Sequence, residues 1–450
     1  MTHSDLHDLR LTTASAAAAE AFNTTVLGYL RYRTDVSANL KATLDADPDF
    51  ALAHVMKGYL MMLSFKEANV PTAVAALKTA DGLIGRTTPR EQAHAAGLRA
   101  WTEGDLDRTL AIWEQILDEY PHDILALRLH HFNAFWLGRP GAMAREVEKA
   151  LPRYSRDLAG WGTLLACRCF AHEELGNYTL AEAAGRDAID VDKGDLWAAH
   201  AVAHILEMQG RCAEGIDWLA GLEPHWEGAN NLKHHLWWHR GLYHFERGEF
   251  DAVLGLYDRH FRNLASPITE AQPDLYIDVQ NAASMLFRLE RLGVDVGSRW
   301  NEIADKAETR IGDCLSPFTL PHWMMALAAT RRFEAGGRML EAMRKYATTA
   351  GTLNARLVAD YALPISEAVL LRAKGEPAAA VRIMRPSIGG MYRLGGSHAQ
   401  QDVLEQLFLD CAVAAGSNDD VALILARVAG RHPVPPERRM GYKHAAHALS

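Results

Sequence analysis

The sequence predicts an all-α chain built as an array of antiparallel helix pairs. Three observations carry this. Apolar residues recur at helical spacing in segments of 11–20 residues, separated by short breaks at Gly, Asp or Pro. No β-hairpin signal and no alternation of strand with helix interrupts them. The breaks are also periodic: Gly104, Gly138, Gly176, Gly210 and Gly248 stand 34, 38, 34 and 38 residues apart.

A helix–turn–helix period near 34 residues is the tetratricopeptide-repeat (TPR) pattern. The register can be checked within the chain. If Gly104 is the turn glycine of one unit, the unit's terminal proline falls 17 residues later, and Pro121 stands there. Each unit has an apolar face it cannot bury alone, so stacking supplies the core. The predicted fold is therefore a TPR-like α-α superhelix, a solenoid of helix pairs with irregular C-terminal repeats. One repeat domain is expected over 1–430, with regular units at about 88–264 and divergent units at 265–430.

Taken in order, residues 11–31 read as a helix supported by an alanine run, and Asp45-Ala46-Asp47-Pro48 ends the next one. Thr88-Pro89-Arg90-Glu91 is a helix start: Thr as N-cap, Pro in the first turn, Glu three residues on as a capping box. Beyond 265 the period weakens. Leu275 to Leu292 reads as a long amphipathic helix, and His322–Arg331 with Phe333 onward reads as a pair. Val358–Lys374 and Pro377–Met384 form another pair, and Ser397 caps a helix running through Cys411. After Arg431 the run HPVPPERRM breaks the pattern, leaving a tail or short helix over 431–450.

Of the 450 residues, 49% are hydrophobic and 23% charged, which fits a folded chain and excludes a disordered one. A formal charge of -9 without a Lys/Arg-rich run argues against a nucleic-acid partner. Five cysteines without a Cys-x-x-Cys pair fit a reducing compartment, so a cytoplasmic location is expected. No signal peptide is read at the N-terminus, and no uncharged apolar stretch of about 18 residues predicts a membrane span.

The chemistry gathers between Leu196 and Tyr243. WAAHAVAHILEMQGR places His200, His204 and Glu207 on one narrow helical face, because residues four and seven apart lie about 40° and 20° apart around the axis. KHHLWWHRGLY adds a second His-x-x-x-His pair, His235 with His239. In the TPR register the groove is lined from unit positions 2, 5, 9 and 12 of the first helix. Counting Gly210 as position 15 puts His200, His204 and Glu207 at 5, 9 and 12; counting from Gly248 puts His235 at 2 and His239 at 6. The same count places His94 at position 5 of its unit, with Arg128 lining the unit between. A groove lined by His, Glu and aromatic side chains is expected.

At WAAHAVAHILEMQGR, HHLWWHRGLYHFERGEFDAVLGLYD, SMLFRLERLGVDVGSRW and LGGSHAQQDVLEQL the chain resembles the tetratricopeptide repeat protein 38 family, over about residues 20–430. The resemblance implies a TPR-type helical protein without an assigned activity. It also implies that His94, His131, His200, His204, Glu207, His235, His239 and His322 belong to the family pattern, together with Asp278, Ser397 and Asp402. His398 departs from it, standing where family versions of the loop have Asn.

Three functional readings stand at this point. In the first, His200, His204, Glu207, His235 and His239 bind a divalent transition metal, zinc or iron, as imidazoles from neighbouring helices can. The zincin motif is absent, since Ala201 stands where its Glu would. In the second, a hydrolase or lyase acts on a small molecule. Its acid–base groups come from His200, His204, Glu207 and His239, its ligand contacts from His94, Arg128, His131 and His322, and Ser397 is a candidate nucleophile as well as an N-cap. In the third, the groove grips a protein or peptide. A carboxylate clamp is disfavoured, because only Arg128 supplies a cation at a clamp position. A structural role remains for His172 and His244, at packing positions, and for Trp113, Trp237 and Trp238 in the core. Tyr276, Asp278 and Asn281 lie on a helix expected to close over the groove.

Overall fold

In the computed structural model, which describes residues 3–449, the predicted helices form almost where the local sequence places them. Ser15 caps Ala16–Leu30 by accepting from the Ala18 amide. Thr88 and Glu91 close the capping box at the start of Pro89–Thr102, and Asp105 caps Leu106–Glu119. Pro377–Met384 forms as read. The segment read as one helix over Val358–Lys374 is instead Leu353–Leu357, a wide π turn at Val358–Ala362, and Leu363–Ala373. A two-residue antiparallel ribbon, His3–Ser4 with Arg10–Leu11, is the element that the pattern did not foretell. Its loop is pinned by Asp5, which accepts from the His7 and Leu9 amides, and no hydrophobic alternation is needed to make it.

The period is a repeated turn. Gly104, Gly138, Gly176, Gly210 and Gly248 all have positive φ, between 62° and 77°. At Gly104 its own amide bonds to the Trp101 carbonyl and the next amide, of Asp105, reaches back to Ala100, closing a Schellman-type end. The same pair of bonds recurs at Gly293, Gly375 and Gly416, and also at Tyr32 and Arg331, where a side-chain-bearing residue takes φ of 55° and 57°.

Each pair has an inner and an outer helix. Ile124–Trp136 is buried on nearly every side, from Ile124 to Phe135. Its predecessor Leu106–Glu119 buries one stripe: Leu106, Thr109, Leu110, Trp113, Ile116 and Leu117. Consecutive inner helices also pack on each other, Ala51–Met62 on Pro89–Thr102 and Ile124–Trp136 on Trp161–Glu173. This is an all-α TPR-like array.

By packing, the chain divides into two compact units. The first is Met1–Val202 with Leu222–Leu232. The second is Ala203–Gly221 with Lys233–Ser450. Within the second unit, Tyr276–Arg291 and His398–Ala414 are buried all round and pack on each other. Both carry polar residues into that interior, among them Asp278, Asn281, Arg288, Asp402 and Glu405. The C-terminal segment closes on them: Tyr442 is buried and donates to Asp402 at 2.6 Å. No helix among the described residues is long and apolar enough to cross a membrane.

Candidate metal centre

Two helices bring the imidazoles together. Leu196–Met208 starts on Asp195, whose carboxylate accepts from the Ala198 amide. Leu232–Glu246 starts on Asn230, whose side-chain oxygen accepts from the Leu232 amide. These starts fix the helical phase, and the phase turns His204 and Glu207 of the first helix toward His235 and His239 of the second. The ligand nitrogens of His204, His235 and His239 lie within 4.8 Å of one another. His200, one turn before His204 on the same helix, belongs to the first unit. Its ring lies 5.2 Å from Phe170 and 4.7 Å from Trp197.

The rings of His204 and His239 meet edge to face at 4.3 Å, and those of His235 and His239 at 4.7 Å. Trp238 stacks on His235 at 5.0 Å and holds the plane of that ring. Two of the three imidazoles are oriented from behind. His235 Nδ1 donates to Asn281 Oδ1 at 2.7 Å; an amide oxygen only accepts, so the proton is on Nδ1 and the lone pair is on Nε2. His239 Nδ1 pairs with Glu207 Oε2 at 2.9 Å. A carboxylate or amide behind an imidazole is the support that metal-binding histidines use.

Burial sets the protonation. It holds His204 and His235 well below the usual imidazole range, helped by the neighbouring rings, and lowers His239 to about 3. All three are neutral at pH 7 and carry the lone pair a cation needs. Burial also pushes the Glu207 carboxyl up to about 8, against the more distant attraction of Arg288. This corner of the second unit thus has three neutral nitrogen donors and a carboxyl whose ionised form lacks a compensating charge in direct contact. A divalent cation would supply that charge.

The remaining candidates make other contacts within their own units. In the first unit His94 is engaged at both nitrogens, by Asp123 at 3.0 Å and the Tyr59 hydroxyl at 3.2 Å, and Arg90 shares the same Asp123. Arg128 and His131 lie buried on Ile124–Trp136. In the second unit His322 bonds the Phe318 carbonyl at 3.0 Å, and burial lowers it to about 4. Ser397 is wholly buried and caps His398–Ala414 with Gln400 as capping-box partner, so its hydroxyl is committed to the Gln400 amide. His234, without an argument in sequence, pairs with Asp278 at 3.1 Å.

A second cluster with metal-like spacing is Asp402, Glu405 and His432. Its charge is already balanced. Asp402 meets Arg439 at 2.8 Å and Arg288 at 3.3 Å, and Glu405 meets Arg427 at 2.9 Å. Burial would raise Asp402, but Arg439 and Arg288 hold its carboxyl well below the usual range. These arginines stand where a cation would. Arg439 comes from the proline-rich segment, whose sequence carries no signal of that partnership.

No family model matches the chain. Among solved structures it is similar to yeast Tom70, with 11% identity over 95% of this chain and 87% of that one at a TM-score of 0.38. It is also similar to the TPR domain of P58(IPK), with 11% identity, coverage of 80% and 89%, and a TM-score of 0.21. The Naa15/Naa10 assembly bound to HypK-THB gives 12% identity, coverage of 94% and 64%, and a TM-score of 0.25.

Proposed function

We propose that this TPR-like protein binds a divalent transition metal, zinc or iron, through His204, His235 and His239. Glu207 is the carboxyl behind His239. The observation that carries the reading is the convergence of three buried, neutral imidazoles, two of them oriented by Asn281 and Glu207. Structural histidines satisfy one another in pairs; three that turn toward one point with acceptors behind them suit a cation. Burial also favours a small occupant over a peptide: His204 and His239 are wholly covered and His235 is 2% exposed. The blocks shared with the tetratricopeptide repeat protein 38 family support placing the chain there, and a cytoplasmic setting suits its reduced cysteines. A bound metal would lower the pKa of a coordinated water and so permit hydrolytic or lytic chemistry on a small molecule.

Elemental analysis of the purified protein and of His204→Ala tests the site. The native protein is expected to hold about one metal per chain, and the variant to lose it. No metal in the native protein, together with an unchanged melting midpoint in added zinc or ferrous iron, overturns the reading.

A further inference from the structure

The first unit contains a buried cation that no carboxylate touches, although the Asp195 carboxylate feels its charge. Arg128 is 2% exposed, and no carboxylate pairs with it among the described residues. Its Nη2 donates to the Tyr32 hydroxyl, its guanidinium lies 4.3 Å above the Trp197 ring and interacts with the buried Cys167 thiol, and its Nη1 has no oxygen or nitrogen acceptor. Three more polar atoms around the same indole are equally unengaged: Nδ1 and Nε2 of His131, and Nε1 of Trp197 itself. His131 is 1% exposed and its ring meets Trp197 edge to face at 6.1 Å. A buried donor without an acceptor costs about 1–3 kcal/mol, and a charged one more. Several at one place, on side chains that touch, call for a polar occupant.

Tyr32 adds an independent sign. It occupies the turn position that glycine holds at Gly104, yet takes φ 55° with a full side chain. Such a conformation persists where something else requires the side chain. Here the ring stacks on Trp197 at 5.9 Å and the hydroxyl holds Arg128 in place.

We propose that Arg128, His131 and Trp197 form a subsite for the carboxylate of a small organic molecule, with the guanidinium Nη1, the imidazole N–H and the indole N–H as its donors. A single negative charge balances the one guanidinium. A phosphate dianion over-balances it and is the larger group. The aromatic walls, Phe170 at 6.1 Å from His131 and Trp197 itself, suit an apolar body behind the carboxylate. The site lies in the first unit and does not depend on the metal reading.

The test is melting of the full chain, with and without chelator, against benzoate, propionate and inorganic phosphate, and against benzamide as the uncharged isostere of benzoate. Benzoate and propionate are expected to raise the midpoint; benzamide and phosphate are not. Arg128→Met is expected to fold with an unchanged or higher midpoint, since it removes unsatisfied donors, and to lose the carboxylate-induced shift. Trp197→Phe keeps the ring, removes the N–H, and is expected to weaken the carboxylate by about tenfold, one hydrogen bond's worth. No shift with either carboxylate, equal shifts with benzamide, a larger shift with phosphate, or a shift retained in Arg128→Met each overturns the proposal. A large loss of stability in Arg128→Met also overturns it, because the arginine is then structural.

Discussion

At the scale of single residues, the site depends on groups that never touch a ligand. Asn281 is one, since it fixes the His235 tautomer from a different helix. Replacing it with Leu keeps the volume but removes the acceptor. The ring is then free to place its proton on Nε2, the nitrogen that would bind. Zinc affinity of Asn281→Leu, measured by competition with a chromophoric chelator, is expected to fall about 10- to 100-fold, the range for loss of a second partner of a ligating histidine. An unchanged affinity would remove Asn281 from the centre. The sequence put Asn281 beside Asp278 on a helix near the histidines. It could not say that Asp278 would serve His234 and Asn281 would serve His235. That assignment depends on the rotation of Tyr276–Arg291, which is set by packing against Leu320–Ala329 and His398–Ala414.

At the scale of the element, the repeat was legible only where glycine marks it. Gly104 to Gly248 gave a clean period, because a left-handed turn residue is most cheaply a glycine. The same turn recurs at Tyr32 and Arg331, where the mark is missing, and at Gly293, Gly375 and Gly416, where the spacing has lengthened. The period thus weakened in sequence after 265 while the turn persisted in the chain. Arg331 also gives a direct test. It is exposed, and its guanidinium lies 5.4 Å above the Phe333 ring, a contact of modest value at the surface. Arg331→Gly relieves a left-handed residue at a cost in unfolded-chain entropy, and a net gain of about 1 kcal/mol is expected. A urea midpoint lower than native would show that the arginine side chain contributes more than its backbone costs. The capping box at Thr88 and the N-cap at Ser397 were readable, because the partners lie within four residues; that Gln400 closes a box on Ser397 was not read. The groove register was readable as a list of positions but not as exposure: His94, His131 and His322 are all 1% exposed or less.

At the scale of the whole molecule, the stored neutral histidines make stability depend on pH in a calculable direction. Burial lowers His131, His204, His235, His239, His322, His398 and His432 from the ordinary imidazole value. A depressed group binds its proton more readily in the unfolded chain. Its contribution is complete above pH 6.5 and is lost as pH falls toward its folded value, at about 1.4 kcal/mol per unit for each histidine. His322, lowered to about 4, keeps losing stability down to that pH, and His239 and His398, lowered to about 3, go further. Five carboxyls act in the opposite sense: burial raises Glu207 to about 8 and Asp195 to about 6, and it raises Asp5, Glu246 and Glu290 as well. Seven histidines against five carboxyls decide the acid side, and Asp123 and Asp402, held low by neighbouring cations, add to the loss further down, so chelator-treated protein is expected to lose urea resistance below pH 6.5. Above pH 6.5 the histidines are silent and Asp195 is ionised in both states. There the slope is carried chiefly by Glu207, which must ionise in the folded protein as pH rises through 8, with Glu246, also raised by burial, acting in the same sense. The loss between pH 6.5 and 8 is about 1.5 kcal/mol. The urea midpoint should therefore peak near pH 6.5 and fall on both sides. Glu207→Gln should flatten the alkaline side and, because it removes a term that opposes the histidines, steepen the acid side between about pH 4.5 and 6.5. A midpoint that climbs toward pH 5 would mean that the histidines are not held neutral, and an alkaline slope that survives Glu207→Gln would place the titrating carboxyl elsewhere.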